Sequence, residues 1–228
     1  LYTNEFHYLF RSRHYAHGGA YGGASENGTC ATLHTMTVNG YNTDTPDTRL
    51  YMNFYTGKVE VDGKYVTLDD GTPLEYKPLA VEQNLTASEY IETAGARMKK
   101  YEVDRTAYSD GRMPDNDIVL YRYSDVLLMK AEAKVRNGES GDEELNAVRL
   151  RVGMPSIAAT LGNILDERLR ELVWEGWRRQ DMIRFGTYYK QYDIHTPSDA
   201  DKKGYTTVFP IPQKSRDMNT NLKQNPGY

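Results

Sequence analysis

The chain has 228 residues, 39% of them hydrophobic, with a formal net charge of −4 at pH 7. That composition excludes a disordered chain, and the acidic balance argues against a phosphate-tracking surface and so against nucleic acid as a partner. No apolar run approaches the roughly 20 residues needed to cross a bilayer, and the single cysteine, Cys30, forms no intrachain disulfide and no thiolate zinc cluster by itself.

The chain starts Leu1-Tyr2-Thr3 without methionine, signal peptide or lipidation motif, so it reads as a piece of a longer protein. Residues 5–11 read as a short strand. Residues 16–30 read as loop, because Gly18, Gly19, Gly22 and Gly23 disfavour both helix and strand. Strands are expected at 48–57 and 63–68, around turns at Thr56-Gly57 and Asp62-Gly63. A short helix is expected at 86–94, then a strand at 97–103 and a turn-rich stretch at 109–116.

Helical patterning is strong over 118–186. For a helix at 121–137, Leu120, Tyr123, Leu127, Ala131 and Val135 form the expected core stripe. Its second face carries Arg122, Asp125, Met129, Glu132 and Arg136, with Glu132 four residues before Arg136, the favourable order for an ion pair. Asn137-Gly138 supplies a left-handed cap. A shorter helix at 143–152 ends at Gly153 and Pro155. A third begins near Thr160 and runs at least to Glu175 on a stripe of Leu165, Leu169, Leu172 and Val173, with Gly176 bending it before 177–185. Pro197, Pro210, Pro212 and Pro226 break the remainder into irregular chain. The sequence thus divides into a loop-rich region at 1–117 and a helical region with its tail at 118–228, read as one continuous domain.

The most enzyme-like feature is the carboxylate pair Glu167 and Glu171, on one helical face with Trp174 and Arg178. No histidine follows at the spacing a di-metal bundle needs. Two glutamates four apart repel unless cations neutralise them. Arg122, Asp125, Glu132, Glu167, Arg168, Glu171, Arg178, Asp181 and Arg184 are therefore read as a structural ion-pair network, with no catalytic residue. His7, His14, His17, Cys30 and His34 lack the fixed spacing of a zinc site, so no metal ligand is assigned. Acidic loops at 44–47, 69–70 and 110–117 leave calcium open as the one cation, and no other cofactor is indicated. Asn27 and Asn84 begin glycosylation-type tripeptides. No nucleophile elbow, phosphate loop or dinucleotide fingerprint occurs. The 19 tyrosines, against 5 phenylalanines and 2 tryptophans, supply flat apolar faces with polar tips, suited to half-wet binding surfaces.

Four stretches resemble the SusD/RagB family. They are DIVLYRYSDVLLMKAEAKVRNG at 117–138, NAVRLRVGMP at 146–155, ILDERLRELVWEGWRRQDMIRFG at 164–186 and VFPIPQKSRDMNTNLKQNPGY at 208–228. Asp47-Thr48-Arg49 and 95–101 resemble it more loosely. The resemblance implies a mainly α fold of tetratricopeptide-type helical repeats with long loops and a few short strands. It implies a cell-surface, outer-membrane lipoprotein of Bacteroidetes whose lipid anchor lies in a missing N-terminal part. Such a protein binds glycan, or peptide in some branches, for a TonB-dependent transporter of the SusC type. His14, Tyr15, Tyr21, Asn27, Tyr41 and Arg49, all in the irregular region, are the expected glycan-binding residues. A transporter-docking scaffold without its own ligand site and a hydrolase using Glu167 or Glu171 are the competing readings.

Overall fold

The computed structural model describes residues 12–23, 25–81, 89–106, 116–191 and 193–228. The expected strand at 5–11 and most of the turn-rich stretch at 109–116 lie outside them. The chain forms two compact units, Leu1–Trp177 and Arg178–Tyr228.

Three helices frame the first unit: α4 (Tyr123–Arg136), α5 (Asp142–Arg151) and α6 (Leu161–Leu172). Each follows local chemistry. Helix α5 carries Asp142, Glu143 and Glu144 in its first turn and Arg149 and Arg151 in its last, as the helix dipole favours. The Thr160 side chain caps α6 by accepting from the Asn163 N–H at 3.1 Å. Gly138, at φ +80°, ends the α4 cap. Helices α4 and α5 form a hairpin in which a Cβ on Gly141 would sit 2.7 Å from the Ala131 carbonyl oxygen, so the backbones meet with no room for a side chain.

The buried face of α4 is Asp125, Leu128, Ala131 and Glu132, rotated from the expected stripe. Leu120 and Tyr123 are 70% and 76% exposed. The rotation follows from charge: Asp125 must reach Arg168 on α6, 2.8 Å away, with both side chains fully buried. The apolar stripe of α6 is the expected one, with Leu165, Leu169 and Leu172 buried and Val173 packed beside them against the core. The helix stops at Leu172 rather than continuing to Glu175, because Trp174 takes φ +67°, a left-handed backbone outside any helix. There the Trp174 indole donates to the Asn53 carbonyl at 3.3 Å and packs on Phe54.

The loop-rich region is more structured than its glycines imply. It holds α1 (Tyr15–Ala20), α2 (Leu33–Val38) and α3 (Leu50–Asn53). Helix α1 overturns the loop expected from residue 16. The His14 ring accepts from the Ala16 N–H, and a Cβ on Gly18 would lie 2.2 Å from the Ser25 hydroxyl oxygen, so this glycine permits close packing instead of melting the turn. Six two-residue strands pair into three antiparallel ribbons: β1 (Phe54–Tyr55) with β6 (Arg97–Met98), β2 (Gly57–Lys58) with β5 (Glu75–Tyr76), and β3 (Glu60–Val61) with β4 (Lys64–Tyr65). The Asp62-Gly63 turn is as expected, both residues at positive φ. In the strand expected at 48–57, residues 50–53 form α3 and 54, 55 and 57 are strand, because Asp47 accepts the Arg49 N–H and bends the chain into a helical turn. The strand expected at 97–103 shortens to β6. Of the helix expected at 86–94, residues 89–93 are turn and 82–88 lie outside the described residues. Two apolar clusters result, Ala31, Met36, Leu50, Phe54 and Ala96 in one, Val59, Val61, Val66, Leu74 and Tyr76 in the other.

The second unit comprises α7 (Arg178–Arg184), α8 (Asp199–Lys202), a 3₁₀ turn (Tyr205–Thr207) and α9 (Gln213–Met218). Its tail folds back on itself. The Gln224 amide donates to and accepts from the Ile211 backbone at 3.0 and 2.8 Å, Asn225 donates to the Phe209 carbonyl, and the Tyr228 hydroxyl donates to the Val208 carbonyl. Among the described residues, no helix is long and apolar enough to cross a membrane.

Candidate functional site

Two polar constellations stand side by side in the first unit. One is buried and saturated. Arg49 is its hub: the guanidinium donates to Asp47 from Nε and Nη2 at 2.9 and 2.8 Å, to Glu167 at 2.7 Å and to Glu171 at 2.7 Å. Glu167, fully buried, accepts in addition from Arg149 at 2.7 Å and Arg170 at 3.2 Å. Glu171 accepts from Arg151 at 2.7 Å and from Arg122, which also grips Glu175. Burial raises the Glu171 pKa, but hydrogen bonds and charge from Arg122 and Arg49 outweigh it and hold the carboxyl down at about 2. Burial likewise opposes the Arg49 charge, and Asp47, Glu167 and Glu171 reverse that. A carboxylate enclosed by guanidinium groups has no oxygen free to take a proton from a substrate, so this arrangement does not fit acid–base hydrolysis. Asp125 pairs with Arg168, Glu132 with Arg136 at 2.9 Å, and Asp181 with Arg184 at 2.8 Å, while Arg178 is half-buried in the second unit.

The other constellation is an aromatic wall that ends in an open pocket. His17 is buried, with its ring 4.5 Å from Tyr55 edge-on and its Nδ1 3.0 Å from the Tyr76 hydroxyl. Burial, then Arg13 and His14, pushes its pKa down to about 3, so it is neutral near pH 7. The Tyr21 hydroxyl lies 3.1 Å from that of Tyr55, and the Arg13 and Arg105 guanidiniums lie 5.7 and 5.1 Å from the Tyr21 ring centre. Beyond Tyr55 opens a cavity of about 280 Å³ lined by Tyr51, Phe54, Tyr55, Thr56, Lys58, Val59, Glu60 and Lys99. Tyr51 is half exposed, and Lys99 donates to its carbonyl at 2.8 Å while lying 5.5 Å from the Tyr55 ring centre.

The expected glycan-binding residues fall unevenly on this geometry. Arg49 is enclosed in the ion-pair hub and only 5% exposed. His14 is buried, donating its N–H to the Tyr76 hydroxyl and meeting Glu92 at 3.0 Å. Asn27 accepts from Arg97, and Tyr41 packs on the Met36 and Leu50 cluster. Tyr21 is flanked by two cations, which compete with a sugar for its faces. Tyr15 presents an open ring. The pocket residues Tyr51, Tyr55, Lys58, Glu60 and Lys99 were not foreseen. No local pattern signals them, because Tyr51 lies in α3, Tyr55 in β1 and Lys99 just past β6. Among the described residues no three His, Cys, Asp or Glu side chains converge as metal ligands. Asp47 is committed to Arg49, and Asp70 accepts from Thr72.

The first unit is thus a helical-hairpin frame locked by internal ion pairs, with an aromatic-lined cavity carried on short ribbons. The SusD family profile matches residues 12–228, and the chain belongs to that family. It is 30% identical over 139 residues to the starch-binding protein SusD of Bacteroides thetaiotaomicron, covering 58% of this chain and 25% of that protein. Its fold is that of surface glycan-binding protein A from Bacteroides uniformis, with TM-score 0.57 and 22% identity over 89% of this chain and 43% of the other. A SusD superfamily protein from Bacteroides vulgatus gives TM-score 0.55 and 20% identity over 86% of this chain and 44% of that one. The chain thus spans about a quarter of the curated relative's length.

Proposed function

We propose that the protein captures glycan at the cell surface and delivers it to a SusC-like TonB-dependent transporter, anchored at the outer membrane through a lipid outside this chain. The observation that carries this reading is the 30% identity to a starch-binding SusD within a chain of that family. The pocket beside Tyr51 supports it: phenol rings offer faces to the C–H side of a sugar, and Lys58, Glu60, Lys99 and Thr56 offer groups to its hydroxyls. Sugars exchange water contacts for protein contacts on binding, so the affinity of one such pocket is modest. The saturated carboxylates support capture without cleavage.

Calorimetric titration of the protein with a panel of polysaccharides tests the reading. Binding to at least one is expected, together with its loss in Tyr51→Ala at an unchanged melting temperature; that substitution keeps the carbonyl that holds Lys99. Failure to bind any polysaccharide, with peptides bound instead, overturns the glycan reading.

A further inference from the structure

Resting on the glycan reading, we infer that the pocket at Tyr51 and Tyr55 takes an acidic glycan, one whose rings carry a carboxylate. Most lysines of this unit meet an acid. Lys100 meets Glu175, Lys77 meets Glu75, Arg105 meets Asp62, and Lys130 and Lys134 meet Glu144. The two pocket lysines differ, as does Lys64 outside the cavity lining. Among the described residues, neither Lys58 nor Lys99 forms an ion pair, although both line the cavity. Lys99 is also held in position: one of its three donors is taken by the Tyr51 carbonyl at 2.8 Å, and its head lies over Tyr55. An ammonium already ordered at the wall loses little further freedom when a ligand arrives. Two donors remain to meet a carboxylate in charge-assisted hydrogen bonds, stronger than those a neutral hydroxyl makes.

Glu60 is the single acid among the lining residues. With two lysines against it the pocket carries a net positive charge. Glu60 accepts sugar hydroxyls and repels a carboxylate, so a uronate ring enters with its acid toward the lysines. The half-exposed Tyr51 ring serves the apolar face of the same sugar.

The test compares oligogalacturonate, oligoglucuronate and alginate fragments with their methyl-esterified forms, which keep the ring and remove the charge, and with a neutral glucan. The intact protein is titrated in low and high salt. The free acid of at least one series is expected to bind about tenfold tighter than its ester, with the gap closing as salt screens the pocket. Lys99→Gln abolishes the preference, and Glu60→Gln sharpens it several-fold. Equal affinity for acid and ester in every series, or binding to the neutral glucan alone, overturns the acidic-sugar inference and leaves glycan capture intact. No binding to any member also overturns the acidic-sugar inference, and the wider polysaccharide panel decides glycan capture. The acid–ester comparison is made on the unaltered protein, so it stands even if a variant fails to fold.

Discussion

Arg49 commits both arms of its guanidinium and its Nε to three carboxylates, Asp47, Glu167 and Glu171. A planar fork fits that set and a lysine point charge does not. Both Arg49→Ala and Arg49→Lys are therefore expected to destabilise the protein by about 3–5 kcal/mol, since each leaves buried carboxylates under-compensated; chemical denaturation measures it. Acid should act on the same hub. The Glu171 pKa is depressed in the folded state from 4.5 to about 2, so the unfolded chain binds its proton first. Its stabilisation is full above about pH 4.5 and is lost as the pH falls toward 2. A melting temperature that holds constant through that window would contradict the assignment. Sequence alone exposed the need for neutralisation here, because Glu167 and Glu171 stand four apart, and it placed Arg122 in the network, but it did not find the hub. Arg49 lies 118 residues from Glu167, in a polar stretch that resembles a ligand loop.

At the scale of elements, what was legible was what is local. Helices α4, α5 and α6 announce themselves by period, caps and terminal charge within their own residues. The two-residue ribbons are shorter than any alternation pattern, and their pairing, Phe54 with Met98 for instance, is set by distant chain. The hairpin of α4 and α5 gives a paired prediction. Gly141→Ala drives a methyl to 2.7 Å from a backbone oxygen and should destabilise by about 1–3 kcal/mol. Gly162→Ala, exposed in the first turn of α6 with its nearest atom at 3.9 Å, should stabilise by up to about 1 kcal/mol. Opposite signs in thermal melts of the two variants check the close approach.

Across the whole molecule, the helical frame and the proposed glycan pocket are drawn from different stretches of chain. The pocket combines 51–60 with Lys99, and no window of sequence contains both. Tyrosines that look alike in composition separate by role. Tyr21→Ala, which removes a ring gripped by Arg13 and Arg105 and the hydroxyl partner of Tyr55, should lower the melting temperature. Tyr51→Ala should leave the melt alone and weaken glycan binding, and calorimetry beside a thermal scan distinguishes the two. The adjacent residues Lys99 and Lys100 are tethered to different walls, one to the Tyr51 carbonyl at the cavity and the other to the Glu171 carbonyl in the charged hub. A single peptide bond thus joins a residue of the cavity wall to a residue of the ion-pair hub, and a substitution at one acts next to the other.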